Sequence, residues 1–402
     1  MKYSDVRSTG LIIIVTGGIL TSLASCGGPR DVAAERARLA RDGNGAITVA
    51  AAWPWSVRSD GFYWEGMKLA MDEVNEAGGI LGRPLRIIKE DDRESVNEGR
   101  LVAQRLADNP DVVAVIGHLN SHVTIPAADI YDAAGLLMLT PGSTNPELTR
   151  SGHRLVFRSV NNDEEIAKQM VGFAELRGFR RVSICYVRNS YGLGLANAFE
   201  QRAQELRIDV VDRQSYDPAE TENPMSFQRL VTQWKDLDFD VLFLAGMAPQ
   251  AGYLIKQIRT EGIDVPILGG DALDTPELLF SAGEAAEGVI IASVFHPDDP
   301  RPEVQRFNRL FRSIYDREPD SWAARGYEAV RLLADGMSAA GSAAPEDVAR
   351  QFRTMGAWPG LTGTFSFRSN GDVTGKSIVK TIVENGRFKY LEDVPVLARS
   401  HD

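Results

Sequence analysis

The sequence predicts an α/β fold with two parallel sheets. Two observations carry this prediction: strand-like apolar runs alternate with helical patterns along most of the chain, and the alternation comes as two successive series. Strictly alternating βα units call for parallel strands joined by right-handed crossovers. A chain of 402 residues is also too long for one ordinary core and leaves room for two.

The first series opens with a strand at Ile47 to Ala52 and a helix at Gly61 to Ala77, where Phe62, Met67, Leu69, Ala70 and Val74 fall near helical spacing and Gly78-Gly79 stops it. Pro84 to Lys89 is the next strand and Val96 to Ala107 the next helix. Strands Val112 to Ile116 and Leu136 to Leu139 follow, with a helix around Pro126 to Ala134 between them. The second series has helices at Glu164 to Leu176, Gly194 to Leu206, Phe227 to Trp234 and Gln250 to Thr260, interleaved with strands at Arg181 to Val187, Val210 to Tyr216, Asp240 to Ala245 and Pro266 to Gly269. From Gly288 the pattern changes to a strand (Val289 to Ser293), helices near Glu303 to Tyr315, Ala323 to Ala340 and Pro345 to Met355, and a hairpin-like region from Gly363 to Tyr390.

An apolar content of 44% and a charged content of 25% are those of a globular protein. A net charge of -11 argues against a nucleic-acid partner, which needs clustered Lys and Arg. Lys2 and Arg7 precede an apolar stretch from Leu11 to Leu20 that is too short to span a bilayer and reads as a targeting segment. Leu23-Ala24-Ser25-Cys26-Gly27 resembles the bacterial lipoprotein cleavage motif, which implies a signal peptide over residues 1–25 and lipidation of Cys26. Residues 26–45 then read as a polar, lipid-anchored tether. Cys185 sits inside an apolar strand as a packing residue, so no disulfide is expected.

The most informative stretch is Val115 to Thr149. Its first strand delivers Gly117, His118, Leu119, Asn120 and Ser121, and its second delivers Thr140, Pro141, Gly142, Ser143 and Thr144. Neighbouring parallel strands present their carboxyl ends side by side, so the two clusters form one mouth of hydroxyls and helix N-termini suited to a carboxylate. Tyr191 and Asp271 follow strands of the second series, where that sheet would face the same cleft, and Asp271 would complete recognition of an amino acid by pairing with its ammonium. Trp53, Trp55 and the nearby Phe62, Tyr63 and Trp64 crowd the first strand end, and Trp55 is the candidate wall of the site.

Enzymatic signatures are missing: there is no His-Glu-x-x-His, Cys-x-x-Cys or Gly-x-Ser-x-Gly pattern. The segment Gly371-Asp-Val-Thr-Gly375-Lys376-Ser377 is one residue short of a phosphate-binding loop and reads as a turn. His118 and His122 lack further ligands for a metal, and Asp91-Asp92 reads as a solvated turn. We expect no metal, no cofactor and no catalysis.

Several motifs in order resemble the type I periplasmic solute-binding proteins of the Leu/Ile/Val-binding group: Asn75-Glu-Ala-Gly-Gly-Ile-Leu-Gly82, Gly117-His-Leu-Asn-Ser121, Asp129-Ile-Tyr131, Thr140-Pro141 with Pro146-Glu-Leu-Thr149, Tyr191-Gly192, and Gly360-Leu-Thr-Gly-Thr-Phe-Ser-Phe367. The resemblance implies two Rossmann-like lobes with parallel sheets, joined by three hinge crossovers and closing on a ligand. The crossovers would fall near Arg158, Ala292 and Gly371, giving one lobe of residues 46–158 and 292–370 and another of 159–291 and 371–395.

By resemblance, Ser121 with the Gly142-Ser143-Thr144 run holds the ligand's carboxylate and amine, beside Asn120. Tyr191 clamps from the second lobe, and Asp271 stands where the best-known members have Glu. Met247 replaces one pocket tyrosine, Ser59 another aromatic position, and Trp322 matches an aromatic wall; Glu94 and Asn120 stand where some members have a disulfide. The implied function is an extracytoplasmic lipoprotein that captures a small amino acid or related carboxylate and hands it to the permease of an ABC importer. A sensor of the same fold and a hydrolase in the cleft are the alternatives.

Overall fold

The computed structural model describes residues 31–58, 61–220 and 227–391. The expected signal peptide, Cys26 and Ser59 lie outside the described residues. In chain order the first part runs α1 (Val32–Asp42), β1 (Ile47–Trp53), α2 (Tyr63–Glu76), β2 (Leu85–Asp91), α3 (Val96–Ala107), β3 (Val112–Gly117), α4 (Ser121–Ala133), β4 (Leu137–Thr140), α5 (Glu147–Arg150) and β5 (Val156–Arg158). The second part runs α6 (Asp163–Leu176), β6 (Arg181–Val187), α7 (Ser190–Glu205), β7 (Asp209–Tyr216), α8 (Gln228–Lys235), β8 (Val241–Ala245), α9 (Gln250–Thr260), β9 (Ile267–Gly269), α10 (Pro276–Ala282) and β10 (Ile290–Ser293). Helices α11 (Pro302–Tyr315), α12 (Ser321–Ala340) and α13 (Pro345–Thr354) follow, then strands β11 (Trp358–Gly360), β12 (Gly363–Phe367), β13 (Val373–Thr374), β14 (Val379–Glu384) and β15 (Arg387–Leu391).

Strands β1 to β5 form one parallel sheet in the order β2-β1-β3-β4-β5. Strands β1, β3 and β4 are buried along their whole length, which is why they read as unbroken apolar runs rather than alternating ones. The second sheet has the order β15-β14-β10-β9-β8-β6-β7, with β6 to β10 parallel and the β14–β15 hairpin added antiparallel to β10. The hairpin-like region expected from Gly363 onward is therefore split: β12 pairs with β11 and β13 in a small sheet on the first core, while β14 and β15 extend the second.

Each sheet carries its own core. The chain leaves the first core after Val160, enters the second by Ile166, returns between Ala292 and Val294, and crosses again between Val373 and Ile378. Buried ion pairs fasten the first and the last of these crossings. Arg158 Nε donates to Asp372 at 2.7 Å, and Lys376 Nζ lies 2.5 Å from Glu328 on α12 and donates to the Ser159 carbonyl at 2.7 Å. Lys376 thus ties this crossing segment to α12 and to Ser159, and Gly375-Lys376-Ser377 is an irregular stretch between β13 and β14, not a loop ahead of a helix.

One expectation is corrected. Within the stretch read as a tether, Val32–Asp42 is a helix, and Arg36 is wholly buried. Its guanidinium donates to the carbonyls of Val112 at 2.8 Å, Ala107 at 2.6 Å and Ala134 at 2.5 Å. Two of these carbonyls sit at the C-terminal ends of α3 and α4, which need donors from outside the helix. A polar helix with a weak apolar face can therefore dock mainly through Arg36, with Arg41 pairing Asp347 at 3.0 Å and Ala40 entering the core.

Candidate ligand-binding site

Parallel strands open their carboxyl ends to a crevice where the strand order reverses, here between β1 and β3. The loop after β3 and the loop after β4 meet there. Thr140 knits them: its hydroxyl donates to the His118 carbonyl at 2.9 Å and accepts from the Ser143 N–H at 3.0 Å. A Cβ on Gly142 would stand 3.1 Å from Leu119, so the close approach of the loops favours glycine.

Ser121 opens α4 behind the N-cap Asn120. Its hydroxyl accepts from the Asn145 N–H at 3.3 Å and from Ser143 Oγ at 3.1 Å, which occupies both lone pairs and leaves the O–H to donate elsewhere. Asn120 is nearly buried and its Oδ1 has no partner. Arg158 fixes the loop from behind, donating to the Ser143 carbonyl at 3.0 Å and the Asn145 carbonyl at 2.9 Å.

Across the cleft, Tyr191 stands in the first turn of α7, which Asn189 caps. Its hydroxyl donates to Asp271 Oδ1 at 3.3 Å and accepts from the Ala272 N–H at 3.2 Å. Burial raises the Asp271 carboxyl above its ordinary value, while Arg325 and Tyr191 pull it back. Arg325, on α12 of the first lobe, places both terminal nitrogens 3.3 Å from Asp271 Oδ2. Asp271, expected to await a ligand's ammonium, already has a cation.

The two sides enclose a cavity of about 230 Å³. Trp53, Trp55, Tyr63, Trp64 and Trp322 line one flank. The Trp53 ring stacks on Tyr63 with centroids 3.9 Å apart and meets Trp322 edge-on at 5.5 Å. Lys89 Nζ lies 3.9 Å from the Trp64 ring centre and 4.4 Å from that of Trp55, and burial lowers its pKa. Arg58 closes the rim: it pairs with Glu94 of its own lobe at 2.6 Å, with Glu277 of the other at 2.6 Å, and donates to the Ala248 carbonyl at 2.8 Å.

Of the residues singled out from sequence, Asn120, Ser121, Gly142, Tyr191, Asp271, Met247, Trp55 and Trp322 line this cavity. Ser143 and Thr144 stand one layer behind it, because the chain turns away after Gly142: Ser143 Oγ points at Ser121, and the Thr144 hydroxyl lies beside the buried Asp163. Sequence reading missed Arg58, Lys89 and Arg325 at or behind the wall. Arg325 carried a signal, since it sits three residues after Trp322 and four before Ala329, a charge on the helix face that otherwise reads as core.

Asp92, expected in a solvated turn, is fully buried. Asp92 Oδ2 meets His118 Nδ1 at 2.6 Å, and His118 Nε2 meets the Tyr131 hydroxyl at 3.0 Å. None of the three lines the cavity. Among the described residues, no group of three or more His, Cys, Asp or Glu could hold a metal ion, and no helix is long and apolar enough to cross a membrane.

Comparison with known proteins places this architecture. A sequence model for periplasmic binding proteins matches residues 59–387. The Leu/Ile/Val-binding protein homolog 1 of Brucella abortus is 32% identical over 336 residues, covering 82% of this chain and 88% of that one. Among solved structures, an ABC transporter substrate-binding protein from Desulfitobacterium hafniense in complex with Leu is 39% identical with a TM-score of 0.77, covering 86% of this chain and all of that one. The leucine-binding protein LivK of Thermotoga maritima is 29% identical with a TM-score of 0.80, covering 86% of this chain and 98% of that one. Two sheets with a cleft at their carboxyl ends, and a match across most of the chain, establish that this protein belongs to the periplasmic binding protein family.

Proposed function

We propose that this protein captures a small carboxylate-bearing solute, an amino acid or a related acid, between its two lobes and delivers it to the permease of an ABC importer. The observation that carries the reading is the free donor at the head of α4. With both lone pairs of Ser121 occupied, its O–H is left to donate at the N-terminus of α4, where a carboxylate fits. The aromatic flank of Trp53, Trp55 and Trp322 takes the solute's body, and Tyr191 and Met247 cover it from the second lobe. The resemblance to Leu/Ile/Val-binding proteins supports an amino acid or its carbon skeleton as the solute.

In this reading the protein works by binding and closing, without catalysis, and residues 1–25 export it so that Cys26 can anchor it to a membrane facing the periplasm. The lobes are residues 46–158 with 292–370 and 159–291 with 371–395, hinged at the three crossings. Ser121→Ala tests the carboxylate site by calorimetric titration. Hydrogen bonds to charged groups contribute roughly 1.5 to 3 kcal/mol, so affinity for the solute should fall by about tenfold or more. Unchanged affinity would remove Ser121 from the site.

A further inference from the structure

Asp271 is 4% exposed, and a buried carboxylate needs a counter-charge or a full set of hydrogen bonds. Both its oxygens are engaged by the protein itself, Oδ1 by Tyr191 and Oδ2 by the two terminal nitrogens of Arg325. The two halves of that ion pair come from opposite lobes, Arg325 from α12 packed on the first core and Asp271 from the turn after β9. Closing the cleft therefore brings Asp271 its cation.

Arg325 is held in that pose. It is 3% exposed, donates to the Pro141 carbonyl at 3.3 Å, and lies over the Trp322 ring at 4.6 Å. The Pro141 carbonyl, beside the Gly142 loop, thus already accepts from Arg325. A solute ammonium arriving at Asp271 would share its acceptor with a guanidinium and meet a like charge at close range, where little water screens it. A methylene or keto group at the same place meets no such repulsion.

We infer that Arg325 makes an amine on the solute dispensable, and that the cleft selects carboxylic acids without an α-ammonium over the corresponding amino acids. The inference rests on the proposed carboxylate site at Ser121 and narrows its solute class. Arg325 does not line the cavity and acts through Asp271, so it is a positioning residue.

The test is calorimetric titration of the wild-type protein with matched pairs, leucine against 4-methylpentanoate and phenylalanine against 3-phenylpropanoate. For at least one pair the amine-free acid should bind about tenfold tighter or better, as expected for a charge repelled at a buried site. Arg325→Lys, which keeps the charge, should retain the preference. Arg325→Met should shift it toward the amino acid. An amino acid that outbinds its deaminated partner in both wild-type pairs, or a preference that Arg325→Met leaves unchanged, overturns the inference while leaving carboxylate capture standing. If neither member of any pair binds, carboxylate capture at this site fails as well. The wild-type comparison decides the matter even if Arg325→Met does not fold.

Discussion

Asp163 shows what one buried side chain does to the pH behaviour of the fold. It is fully buried at the start of α6 beside the Thr144 hydroxyl, with no cation paired to it among the described residues, and burial pushes its pKa from 3.8 up to about 8 against the pull of that hydroxyl. Below about pH 4 the carboxyl is protonated folded or unfolded. As pH rises toward about 8 the unfolded chain releases the proton while the folded one keeps it, so stability falls across that window and levels off above it. Asp163→Asn removes the effect. Its melting temperature should match that of the wild type near pH 4 and exceed it by a widening margin up to pH 8, read by calorimetry at each pH. A constant difference across the range would contradict the buried neutral carboxyl. Nothing in the local sequence Asn162-Asp163-Glu164-Glu165 announces this, since an acid in the first turn of a helix is ordinarily a solvated partner of the dipole.

At the scale of elements, the strands and most helices were legible because burial on both faces writes them as apolar runs and one-sided burial writes the helices at 3.6-residue spacing. Helix α1 was not legible, because its anchorage is polar. Arg36 satisfies carbonyls at the C-terminal ends of α3 and α4, and burial lowers its pKa to about 10. Arg36→Met should leave the buried Ala107 and Val112 carbonyls without this donor and cost about 3 kcal/mol in urea unfolding. Stability within error of the wild type would mean that α1 is dispensable to the first core. The same limit explains the site. The glycine and hydroxyl clusters after β3 and β4 are local in sequence and could be read there, whereas Arg325 meets Asp271 across 54 positions and Arg58 meets Glu277 across 219. Such pairs exist only once two lobes share a surface, and no local pattern encodes them.

For the whole molecule, the contacts between lobes set how firmly a solute is held. Arg58 links Glu94 in one lobe to Glu277 and the Ala248 carbonyl in the other, all partly shielded from solvent. Apparent affinity scales with the fraction of molecules in the closed, binding-competent state, so weakening this rim contact should penalise every solute alike. Glu277→Gln should weaken binding of all ligands by a similar factor, roughly fivefold for the loss of about 1 kcal/mol, seen as faster release in stopped-flow fluorescence of the tryptophan flank. A loss confined to one ligand would instead mark Glu277 as a contact of that ligand. Carboxylate capture itself is settled by calorimetric titration of the protein with a panel of amino acids and aliphatic and aromatic acids, each beside its primary amide. Acids should bind and their amides should bind far more weakly or not at all, because the donors at Ser121 and the head of α4 favour negative charge. Amides binding as tightly as the acids, or a panel in which no acid binds, would contradict it.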